Sequence, residues 1–562
     1  MTVEKLITDH IDIWSSALQT RSTAGRGSNG KIDLYGIKKL RELILELAVR
    51  GKLVPQDPND EPASELLKRI EKEREGLVKS RKIRKSKVLE PVDTSELPFE
   101  LPRGWEWCYL NDVGNWGAGA TPNRSNSKYY DGNIPWFKSG ELSSDFISES
   151  EEKVTELALK ECSLRDNKVG DVLIAMYGAT IGKTSILNVR GTTNQAVCAC
   201  TPYSGISNVY LLTLLKAYKR IFIGMGAGGA QPNISREKLI ATVIALPPNA
   251  EQNRIVYKVN ELMSLCDQLE QQSLTSLDAH QQLVETLLAT LTDSQNEKEL
   301  AENWSRINQH FDTLFTTEAS IDALKQTILQ LAVMGKLTEQ EKACTLECKT
   351  SLIDGLSIYD DIDKKIPKTW SLSKLDNISS AIIDCPHSTP KWADKGFICV
   401  RTNQIKPGYL ELNDSRYVSE QTYIERIQRL EPSFNDILYS REGGVLGVAC
   451  RIPEDVKVCL GQRMMLIRSG DKVLSEYLEI VLNSPLITIL ARQMTTGGAA
   501  PRINVSTVKN YLIPLPPKEE QYQIIARVKE LLNLGDTLKS HLQSAQQTQL
   551  HLADALTDAA LN

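Results

Sequence analysis

The sequence predicts an α+β or α/β protein built as a tandem duplication, in which two mixed domains are each followed by a long helix. Three observations predict this fold class. Segments of the first half return in the same order in the second half, short apolar runs typical of strands alternate with helical runs, and each half closes on a run with heptad spacing. A chain of 562 residues is also too long for a single hydrophobic core.

The clearest repeat lies near the end of each half. The segments "GGAQPNISREKLIATVIALPPNAEQNRIV" (228–256) and "GGAAPRINVSTVKNYLIPLPPKEEQYQII" (497–525) align without a gap, with 12 identities in 29 positions. Earlier in each half, "LRELILELAVRGKL" (40–53) returns as "LKQTILQLAVMGKL" (324–337), with 9 of 14 residues identical. The offsets of 269 and 284 residues predict one large duplication rather than a solenoid of short repeats.

Each half divides into the same succession of segments. It opens with a helix whose apolar residues recur at helical spacing, and Gly51 or Gly335 follows at the position of a helix C-cap. The helical positions are Leu40, Ile44, Leu47, Leu324, Ile328 and Leu331. The predicted segments are an N-terminal helical region with a basic linker (1–99), a first mixed domain (100–248), a first long helix (249–292), a helical connector that repeats the N-terminal region (293–364), a second mixed domain (365–517) and a second long helix (518–562).

Both long helices carry a heptad seam, with apolar residues at alternating steps of four and three. The predicted seam positions are Ile255, Val259, Leu262, Leu269, Val284, Leu287 and Leu291 in the first helix and Ile524, Val528, Leu531, Leu538, Leu542 and Leu552 in the second. The pattern of the first helix blurs at Ser273 and Ser276. Two seams of similar length in one chain are predicted to pack on each other.

Two glycine-rich segments could suggest a cofactor site but lack the spacing that such a site needs. In "YGATIGKTS" (177–185), three residues separate the glycines, whereas a phosphate-binding loop has four, and a strand-like run follows. A β-hairpin turn is therefore predicted. The segment "GNWGAGATP" (114–122) has neither an apolar strand before it nor an acidic residue after it, so a loop is predicted there.

The sequence predicts no catalytic constellation, zinc site or membrane span. Cys344, Cys348, Cys385 and His387 lack the second ligand pair of a structural zinc site. The 11 cysteines, without a leader peptide or a stretch of 18 apolar residues, are typical of reduced thiols in the cytoplasm, which is the expected location. The net charge of −5 argues against a wholly basic surface but is compatible with a local basic groove.

One strongly basic run lies in the first linker. The segment "KSRKIRKSK" (79–87) has six basic residues in nine, and the linker that contains it is 19 residues longer than its counterpart. Such a run is often only solvated. The alternative is a tether that contacts phosphates or a partner protein.

The order of segments resembles that of the specificity subunits of type I restriction-modification enzymes. A tryptophan, a mixed domain, "GGAxPxI", a strand, "LPP", "EQxxI" and a heptad helix occur twice in this order. The segment "GATPNRSNSKYYDGNIPWFKSGEL" (119–142) looks like the opening of one target recognition domain, and "DCPHSTPKWADKGFICVRTNQI" (384–405) like that of another subtype. The segment "LELAVRGKLVPQDPNDEPASELLKRIEKE" (45–73) is similar to the N-terminal region of one branch.

The resemblance implies a non-catalytic subunit that recognises double-stranded DNA. Each target recognition domain would read one half of an asymmetric bipartite target, and the long helices would pair as an antiparallel coiled coil that sets the gap. The expected partners are two methyltransferase subunits, which hold S-adenosylmethionine, and restriction subunits, which use ATP and Mg²⁺. No cofactor or metal is expected on this chain. The alternatives are a structural coiled-coil adaptor and a nucleotide hydrolase that uses residues 178–184.

Polar and basic residues near glycine turns are the candidates for DNA contacts. Arginine can pair with guanine and asparagine with adenine in the major groove, although the sequence does not separate base contacts from phosphate contacts. The candidates are Arg124, Lys128, Lys138, Ser139, Tyr177, Lys183, Asn233, Arg401, Thr402, Asn403, Arg441, Arg463 and Arg502.

Overall fold

The structure, a computed structural model, describes residues 3–21, 31–84, 89–93, 97–226, 232–338, 366–495 and 501–561. The chain divides into two compact units. Unit 1 contains residues 1–19, 33–273 and 548–562, and unit 2 contains residues 20–32 and 274–547. Each unit therefore holds the beginning of one long helix and the end of the other.

Unit 1 combines short strands with helices that lie before, between and after them in the sequence. Its helices are α1 (Val3–Thr8), α2 (Ile11–Ser16), α3 (Tyr35–Val49), α4 (Ala63–Lys79), α5 (Glu156–Glu161), α6 (Asn208–Ala217), α7 (Lys219–Gly226), α8 (Arg236–Ile240), the first part of α9 (Asn249–Asp293) and the end of the second long helix (Lys518–Leu561). Strands β1 (Gln19–Arg21) and β2 (Lys31–Asp33) pair where the two units divide the chain. The other strands are β3 (Glu106–Tyr109), β4 (Gly114–Ala118), β5 (Tyr130–Phe137), β6 (Phe146–Ile147), β7 (Lys153–Val154), β8 (Val172–Ala175), β9 (Thr184–Leu187), β10 (Thr192–Thr193), β11 (Val197–Pro202) and β12 (Val243–Leu246).

The strands of unit 1 form three sheets. The five-stranded sheet has the order β4-β11-β8-β9-β6, the three-stranded sheet has the order β10-β5-β7, and β3 pairs with β12. Helix α6 packs on β8 and β9, and its Tyr210 and Leu211 are almost fully buried. The pairing of β3 with β12 is antiparallel, with Glu106 opposite Leu246. The chain therefore enters and leaves this mixed domain at one place.

The prediction of a loop over residues 114–122 is wrong for its first five residues, which form β4. The glycines there allow close packing instead of a turn. A Cβ on Gly114 would lie 2.3 Å from the Cys200 sulfur, and one on Gly117 would lie 2.6 Å from the Arg165 guanidinium. Neither glycine has a positive φ. A side chain is excluded at Gly114 by Cys200 of strand β11 and at Gly117 by the side chain of Arg165.

Unit 2 repeats this plan with different strand lengths. Its helices are the end of α9, α10 (Glu297–Gln309), α11 (Phe311–Leu314), α12 (Glu318–Val333), α13 (Leu375–Ile378), α14 (Glu420–Ile427), α15 (Ser475–Asn483), α16 (Pro485–Gln493), α17 (Val505–Lys509) and most of α18 (Lys518–Leu561). Its strands are β13 (Ser371–Lys374), β14 (Ser379–Asp384), β15 (Trp392–Ala393), β16 (Phe397–Val400), β17 (Ile405–Lys406), β18 (Tyr409–Leu410), β19 (Tyr417–Val418), β20 (Ile437–Ser440), β21 (Ala449–Arg451), β22 (Val458–Leu460), β23 (Met464–Ser469) and β24 (Leu512–Leu515).

The sheets of unit 2 are smaller and more numerous. Two four-stranded sheets have the orders β14-β23-β20-β21 and β15-β19-β16-β22, and β17 pairs with β18. Strand β13 pairs antiparallel with β24, with Ser371 opposite Leu515, as β3 pairs with β12 in unit 1. Both mixed domains are therefore closed by their first and last strands. Short 3-10 helices lie at Leu110–Asp112, Ser127–Tyr129, Ser139–Glu141, Gly178–Thr180 and Thr402–Gln404.

The repeated helices α3 and α12 confirm the predicted helical spacing. All six predicted apolar positions are buried, at 5% exposure or less. Gly51 and Gly335 follow the helices with φ of 66° and 67°, as predicted for C-cap glycines. At each glycine a Cβ would lie 2.4 Å from a proline ring, that of Pro102 or Pro367, so each helix end fits against the opening of its mixed domain.

The two long helices contain 45 residues in α9 and 44 in α18. In α9 the predicted positions Ile255, Val259, Leu262, Leu269, Val284 and Leu291 are buried. In α18 Ile524 and Val528 are buried, and Leu531, Leu538 and Leu542 are half-buried.

One predicted seam position is wrong by one residue. Leu552 is 41% exposed, whereas the neighbouring Ala553 is fully buried. Leu287 is half-buried and packs on the core beside the buried Leu288, which is 4% exposed. A strict heptad drifts around a straight helix, and one extra step of four residues corrects the drift. Such a step separates positions 273 and 277 in α9 and the equivalent positions 542 and 546 in α18, which are half-buried.

No helix within the described ranges combines the length and apolar character needed to cross a membrane. The same ranges contain no group of three or more His, Cys, Asp or Glu side chains arranged to hold a metal ion. Cys344 and Cys348 lie outside the described residues, as do the glycine pairs that open both long repeats. Cys385 is a buried free thiol, and His387 lies 3.3 Å from the Asp384 carboxylate.

Candidate nucleic-acid interface

A buried tryptophan and glutamate join each mixed domain to its long helix. The Trp105 indole N–H donates to Glu251 (3.1 Å), and the Trp370 indole N–H donates to Glu520 (2.9 Å). Both glutamates lie in the first turn of a long helix, where a negative charge is favourable beside the N-terminal end of the helix dipole. The repeated "EQ" of the sequence therefore has a structural role at the exit from each mixed domain.

The following glutamine completes the same joint in both units. Gln252 accepts from the Ser207 amide (2.9 Å) and donates to the Pro247 carbonyl (3.3 Å). Gln521 accepts from the Leu474 amide (2.8 Å) and donates to the Pro516 carbonyl (3.0 Å). Each glutamine thus holds the helix start against both the preceding proline and the interior of its domain.

Replacing Glu251 by alanine is expected to lower the stability of unit 1 near this joint. In Glu251→Ala, the buried indole N–H of Trp105 loses its acceptor, at a cost of about 1–3 kcal/mol. Burial raises the pKa of Glu251, so stability should fall as the pH rises and this carboxyl ionises in the folded chain. Glu251→Gln keeps an acceptor oxygen and should abolish that pH dependence.

Hydrogen exchange measures this effect with an internal control. Peptides covering β3 and β12 should exchange faster in Glu251→Ala, whereas those covering β13 and β24 of the same chain should be unchanged. If the exchange rates of β3 and β12 are the same in Glu251→Ala as in the wild type, the hydrogen bond contributes no local stability.

Four loops meet at one end of the unit 1 strands, and we call them loop edge 1: residues 138–141, 176–183, 194–196 and 232–234. Backbone hydrogen bonds join them, from the amides of Asn194, Met176, Gly178 and Ile234 to the carbonyls of Phe137 (3.0 Å), Ala196 (2.8 Å), Pro232 (2.8 Å) and Met176 (2.9 Å), respectively. These bonds bring together the candidates Lys138, Ser139, Tyr177, Lys183 and Asn233. Tyr177 and Asn233 form a bridge, and both are exposed.

Unit 2 builds the same frame, loop edge 2, from residues 401–404, 441–447, 461–463 and 501–503. The equivalent bonds run from the amides of Gly461, Arg441, Gly443 and Ile503 to the carbonyls of Val400 (2.9 Å), Arg463 (3.0 Å), Pro501 (3.0 Å) and Arg441 (2.9 Å). Glu442 and Arg502 form the bridge that Tyr177 and Asn233 form in unit 1. The two loop edges therefore share a backbone and differ in their side chains.

A shared carboxylate holds two cations beside loop edge 1. Glu152 pairs with the Lys138 ammonium (2.7 Å) and with the Arg124 guanidinium, which also lies over the rings of Tyr130 (4.9 Å) and Trp136 (5.0 Å). The hydrogen bonds from Arg124 and Lys138 lower the pKa of Glu152. Both cations are thus presented in fixed positions on an exposed surface, where an incoming anion could replace the carboxylate.

The remaining candidates of unit 1 occupy different settings. The Lys183 ammonium lies 3.4 Å from the Gly140 carbonyl, which ties the 176–183 hairpin to the 138–141 turn. Lys128 is exposed on the 3-10 helix before β5, where its carbonyl accepts from the Thr155 hydroxyl (2.8 Å). No described contact of the Lys128 side chain links it to loop edge 1, so its placement there stays a prediction.

Loop edge 2 presents three exposed or half-exposed candidates on its opening turn. Arg401, Thr402 and Asn403 lie at or inside a 3-10 helix that corresponds to the one after Lys138. The Arg401 guanidinium pairs with the exposed Asp414 carboxylate (2.7 Å) and lowers its pKa by this hydrogen bond. Arg463 is exposed and has φ of 67°, a conformation that few non-glycine residues adopt.

Arg441 is a correction to the predicted set of DNA-contacting residues. Its side chain is only 7% exposed and forms two hydrogen bonds to Asp384 (2.9 and 3.0 Å) and one to the Ile503 carbonyl (3.3 Å). A buried guanidinium with three bonds of this kind positions the backbone instead of meeting a base edge. The equivalent residue in unit 1 is the uncharged Met176.

Sequence reasoning missed a buried arginine that holds two loops of unit 2 together. Arg426 on α14 is 6% exposed and donates to four backbone carbonyls. The acceptors belong to Leu460 (2.6 Å), Gly461 (2.8 Å), Ser388 (3.2 Å) and Pro386 (3.3 Å). Gln462 then donates to the His387 carbonyl (2.6 Å). These contacts place the exposed His387 beside loop edge 2, which no local sequence signal indicates.

The hairpin predicted at "YGATIGKTS" is confirmed. Strands β8 and β9 pair antiparallel, with Ile174 opposite Thr184, and β20 and β21 form the equivalent hairpin in unit 2. A phosphate-binding loop would instead be followed by a helix whose N-terminus faces the phosphate. Residues 184–187 form a strand instead of a helix, so this segment does not have the geometry of the phosphate-binding loop that a nucleotide hydrolase would use.

Two mixed domains with one loop frame, each joined to a long helix by the same buried contacts, define a class of duplicated recognition proteins. A family model described as the type I restriction modification DNA specificity domain matches residues 102–279 and 367–545. The chain belongs to this family, the specificity subunits of type I restriction-modification enzymes.

Individual relatives agree with this assignment. The chain is 43% identical to the type I restriction enzyme EcoEI specificity subunit and 42% identical to the EcoAI specificity subunit, both of Escherichia coli, over 100% of each chain. Among solved structures, a chain of a type I restriction-modification system studied for complex assembly and conformational transition matches with a TM-score of 0.50. That match covers 83% of this chain and 99% of the other at 16% identity, and it supports the fold.

Proposed function

We propose that this chain is the DNA sequence-recognition subunit of a type I restriction-modification complex and that each loop edge reads one half of a bipartite target. The observation that carries the proposal is the frame shared by loop edges 1 and 2. The same backbone hydrogen bonds hold the loops in both units, whereas the side chains that they present differ. A scaffold that is repeated while its exposed side chains vary suits two readings of one kind of ligand.

The predicted target is asymmetric because the two loop edges differ at equivalent positions. Loop edge 1 presents Tyr177 and Asn233 where loop edge 2 presents Glu442 and Arg502. Their opening turns also differ, with Lys138-Ser139-Gly140 in one and Arg401-Thr402-Asn403 in the other. Because hydrogen-bond donors and acceptors in the major groove differ between base pairs, unlike side chains select unlike sequences.

The mixed domains 100–248 and 365–517 act as the two target recognition domains, and α9 and α18 act as the spacer that sets the gap. The closing strand pairs β3–β12 and β13–β24 support these domain limits, since the chain enters and leaves each domain beside its long helix. The matching four-residue steps in the seams of α9 and α18 support a pairing of the helices along their length.

The subunit supplies specificity, and its partners supply catalysis. Two methyltransferase subunits with S-adenosylmethionine would methylate adenine, and restriction subunits with ATP and Mg²⁺ would translocate and cut DNA. This chain would hold double-stranded DNA and dock those subunits in the cytoplasm, without a cofactor of its own. The sequence identity to two specificity subunits, which extends over the full length of each chain, supports this assignment of roles.

Methylome sequencing tests the proposal directly. Co-expression with a methyltransferase subunit of a type I system that binds this chain should methylate adenines within one asymmetric, interrupted motif. Arg502→Ala removes an exposed arginine of loop edge 2. Discrimination between bases in one half of the motif should fall by about 1–3 kcal/mol for each base contact that is lost. Asn233→Ala should relax only the other half.

A phosphate contact would give a different result in the same variants. Binding would weaken for all sequences, and the dependence of affinity on salt would become shallower without a change of motif. Methylation of no motif, together with binding of the methyltransferase but not of DNA, would contradict the proposal and favour a structural coiled-coil adaptor.

A further inference from the structure

Each loop edge contains a further loop, which follows strand β4 in unit 1 and strand β14 in unit 2. The Gly119 amide donates to the Val197 carbonyl (3.0 Å), and the Cys385 amide donates to the Met464 carbonyl (3.2 Å). These bonds continue the pairing of β4 with β11 and of β14 with β23. The two loops therefore start at equivalent points of the repeated frame.

Equivalent glutamines hold these loops to the loop edges. Gln195 of loop edge 1 accepts a hydrogen bond from the Thr121 hydroxyl, and Gln462 of loop edge 2 donates to the His387 carbonyl (2.6 Å). Both glutamines come directly after the residue whose amide bonds to the carbonyl before the opening turn. The further loop is thus a fifth loop of each edge, fixed by the same residue type from the same position.

The fifth loop of unit 2 is two residues longer than that of unit 1. Three residues, 119–121, precede a buried proline in unit 1, and five residues, 385–389, precede a buried proline in unit 2. A threonine comes before the proline in both units, which aligns the ends of the two loops. The additional residues are Pro386 and His387, and the side chain of His387 is 71% exposed.

The buried Arg426 supports the additional residues. Its guanidinium donates to the carbonyls of Pro386 (3.3 Å) and Ser388 (3.2 Å), on either side of His387. Counted from the N-caps of α5 and α14, the equivalent residue in unit 1 is Cys162, which cannot make such bonds. Burying a guanidinium costs free energy unless it is hydrogen-bonded, so the arginine and the longer loop occur together. The backbone at His387 is therefore held in a fixed position.

The His387 side chain also has a fixed neighbour. Its Nε2 lies 3.3 Å from the Asp384 carboxylate, which accepts two hydrogen bonds from the Arg441 guanidinium (2.9 and 3.0 Å). When Nε2 of a neutral imidazole carries the proton beside this carboxylate, Nδ1 is an acceptor. The arginines of loop edge 2 can only donate. His387 thus adds an acceptor, which suits the exocyclic amino group of adenine or cytosine in the major groove.

We infer that His387 contacts a base edge in the half-site read by loop edge 2 and is a specificity-determining residue of unit 2. The inference rests on the proposed function and deepens it by assigning a reader that the shorter loop of unit 1 does not carry. Removal of the imidazole should leave the loop in place, because Arg426 and Gln462 bind backbone carbonyls.

The test compares His387→Ala with His310→Ala in the full chain, in complex with a methyltransferase subunit of a type I system that binds it. His310 is a matched control because it is an exposed histidine of unit 2, at the end of α10 and outside both loop edges. The probes are a duplex bearing the methylated motif, duplexes in which each base pair of the motif is replaced in turn, and a scrambled duplex. Affinities are measured by competition at several salt concentrations.

His387→Ala should lower discrimination at one position of one half-site, that read by loop edge 2, by about 2- to 12-fold, the value of one hydrogen bond. Affinity for the scrambled duplex and the salt dependence should stay as in the wild type, which separates a base contact from a phosphate contact. A duplex without the exocyclic amino group at that position should bind the wild type more weakly than the intact motif does. The variant should bind both duplexes equally, and His310→Ala should behave as the wild type.

Two results would overturn the inference and leave the proposed function in place. One is a wild type that discriminates among the duplexes while His387→Ala discriminates equally well at every position. The other is a variant that binds all duplexes more weakly by the same factor, since a lost base contact affects one position. A wild type that binds the motif and the scrambled duplex equally would contradict the proposed function, and the inference with it.

Discussion

A chain that carries the recognition loops of unit 2 in both units is expected to direct methylation to an inverted repeat. In this variant, residues 379–509 replace residues 114–240. Both loop edges then present the same side chains, and a protein with two-fold related readers matches a target with two-fold related half-sites. The new motif should contain the half-site of unit 2 twice, in opposite orientations, with the gap of the wild type.

The exchange is expected to fold because its borders leave the joints in place. The Leu110 amide bonds to the Thr242 carbonyl at 2.9 Å, and the Leu375 amide bonds to the Tyr511 carbonyl at the same distance. Strands β3 and β12 and the joint between Trp105 and Glu251 lie outside the exchanged segment. New residues therefore enter a frame that already supports them in the other unit.

Methylome sequencing of the exchange variant gives the result, and the reciprocal exchange provides a matched control. Residues 114–240 placed in unit 2 should give the inverted repeat of the other half-site. A motif that stays asymmetric and unchanged in either variant would show that the exchanged loops do not read DNA.

The sequence predicted the exit from each mixed domain but not the contact that secures it. A strand, two prolines and a helix start occur as expected, with β12 ending at Leu246 and α9 starting at Asn249. The sequence did not show why the pair of Glu and Gln occurs in both copies of the repeat. Glu251 meets Trp105 from a position 146 residues away, and the partner of a buried polar group cannot be located from local spacing.

The candidate site shows the same division between local and distant effects. Glycine turns indicated candidate residues, and several of these residues lie in the two loop edges. Burial of Arg441 depends on Asp384, 57 residues earlier, so the arginine could not be distinguished from an exposed one by its neighbours in sequence. The position of Arg426 depends on four backbone carbonyls. Because every residue has such a carbonyl, the sequence does not show which of them the arginine contacts.

The seam error at Leu552 has a different cause. Steps of four and three alone placed Leu552 inward, because a strict heptad was extended through the polar middle of α18. The extra step of four residues turns Ala553 inward instead, and it recurs at the same place in α9. The periodicity of a seam can be predicted from sequence, but its phase has to be followed across each interruption.

Because of this interruption, we expect that the gap between half-sites can be changed in a defined way. Deleting residues 274–277 from α9 and 543–546 from α18 removes the extra step and leaves a continuous heptad seam in both helices. Each helix becomes shorter by about 6 Å at about 1.5 Å per residue. Since base pairs are stacked about 3.4 Å apart, the gap in the methylated motif should shorten by about two base pairs while both half-sites stay the same.

A deletion of three residues from each helix separates the effect of length from that of the seam. Removing 274–276 and 543–545 shortens the helices by nearly as much, but it leaves inward positions 273 and 277 adjacent, so the apolar stripe beyond them turns away from its partner. Methylation should therefore be lost, with faster hydrogen exchange in both long helices. If the four-residue variant methylates the wild-type motif with its original gap, α9 and α18 do not set the spacing, because a spacer that shortens by this length has to move the half-sites together.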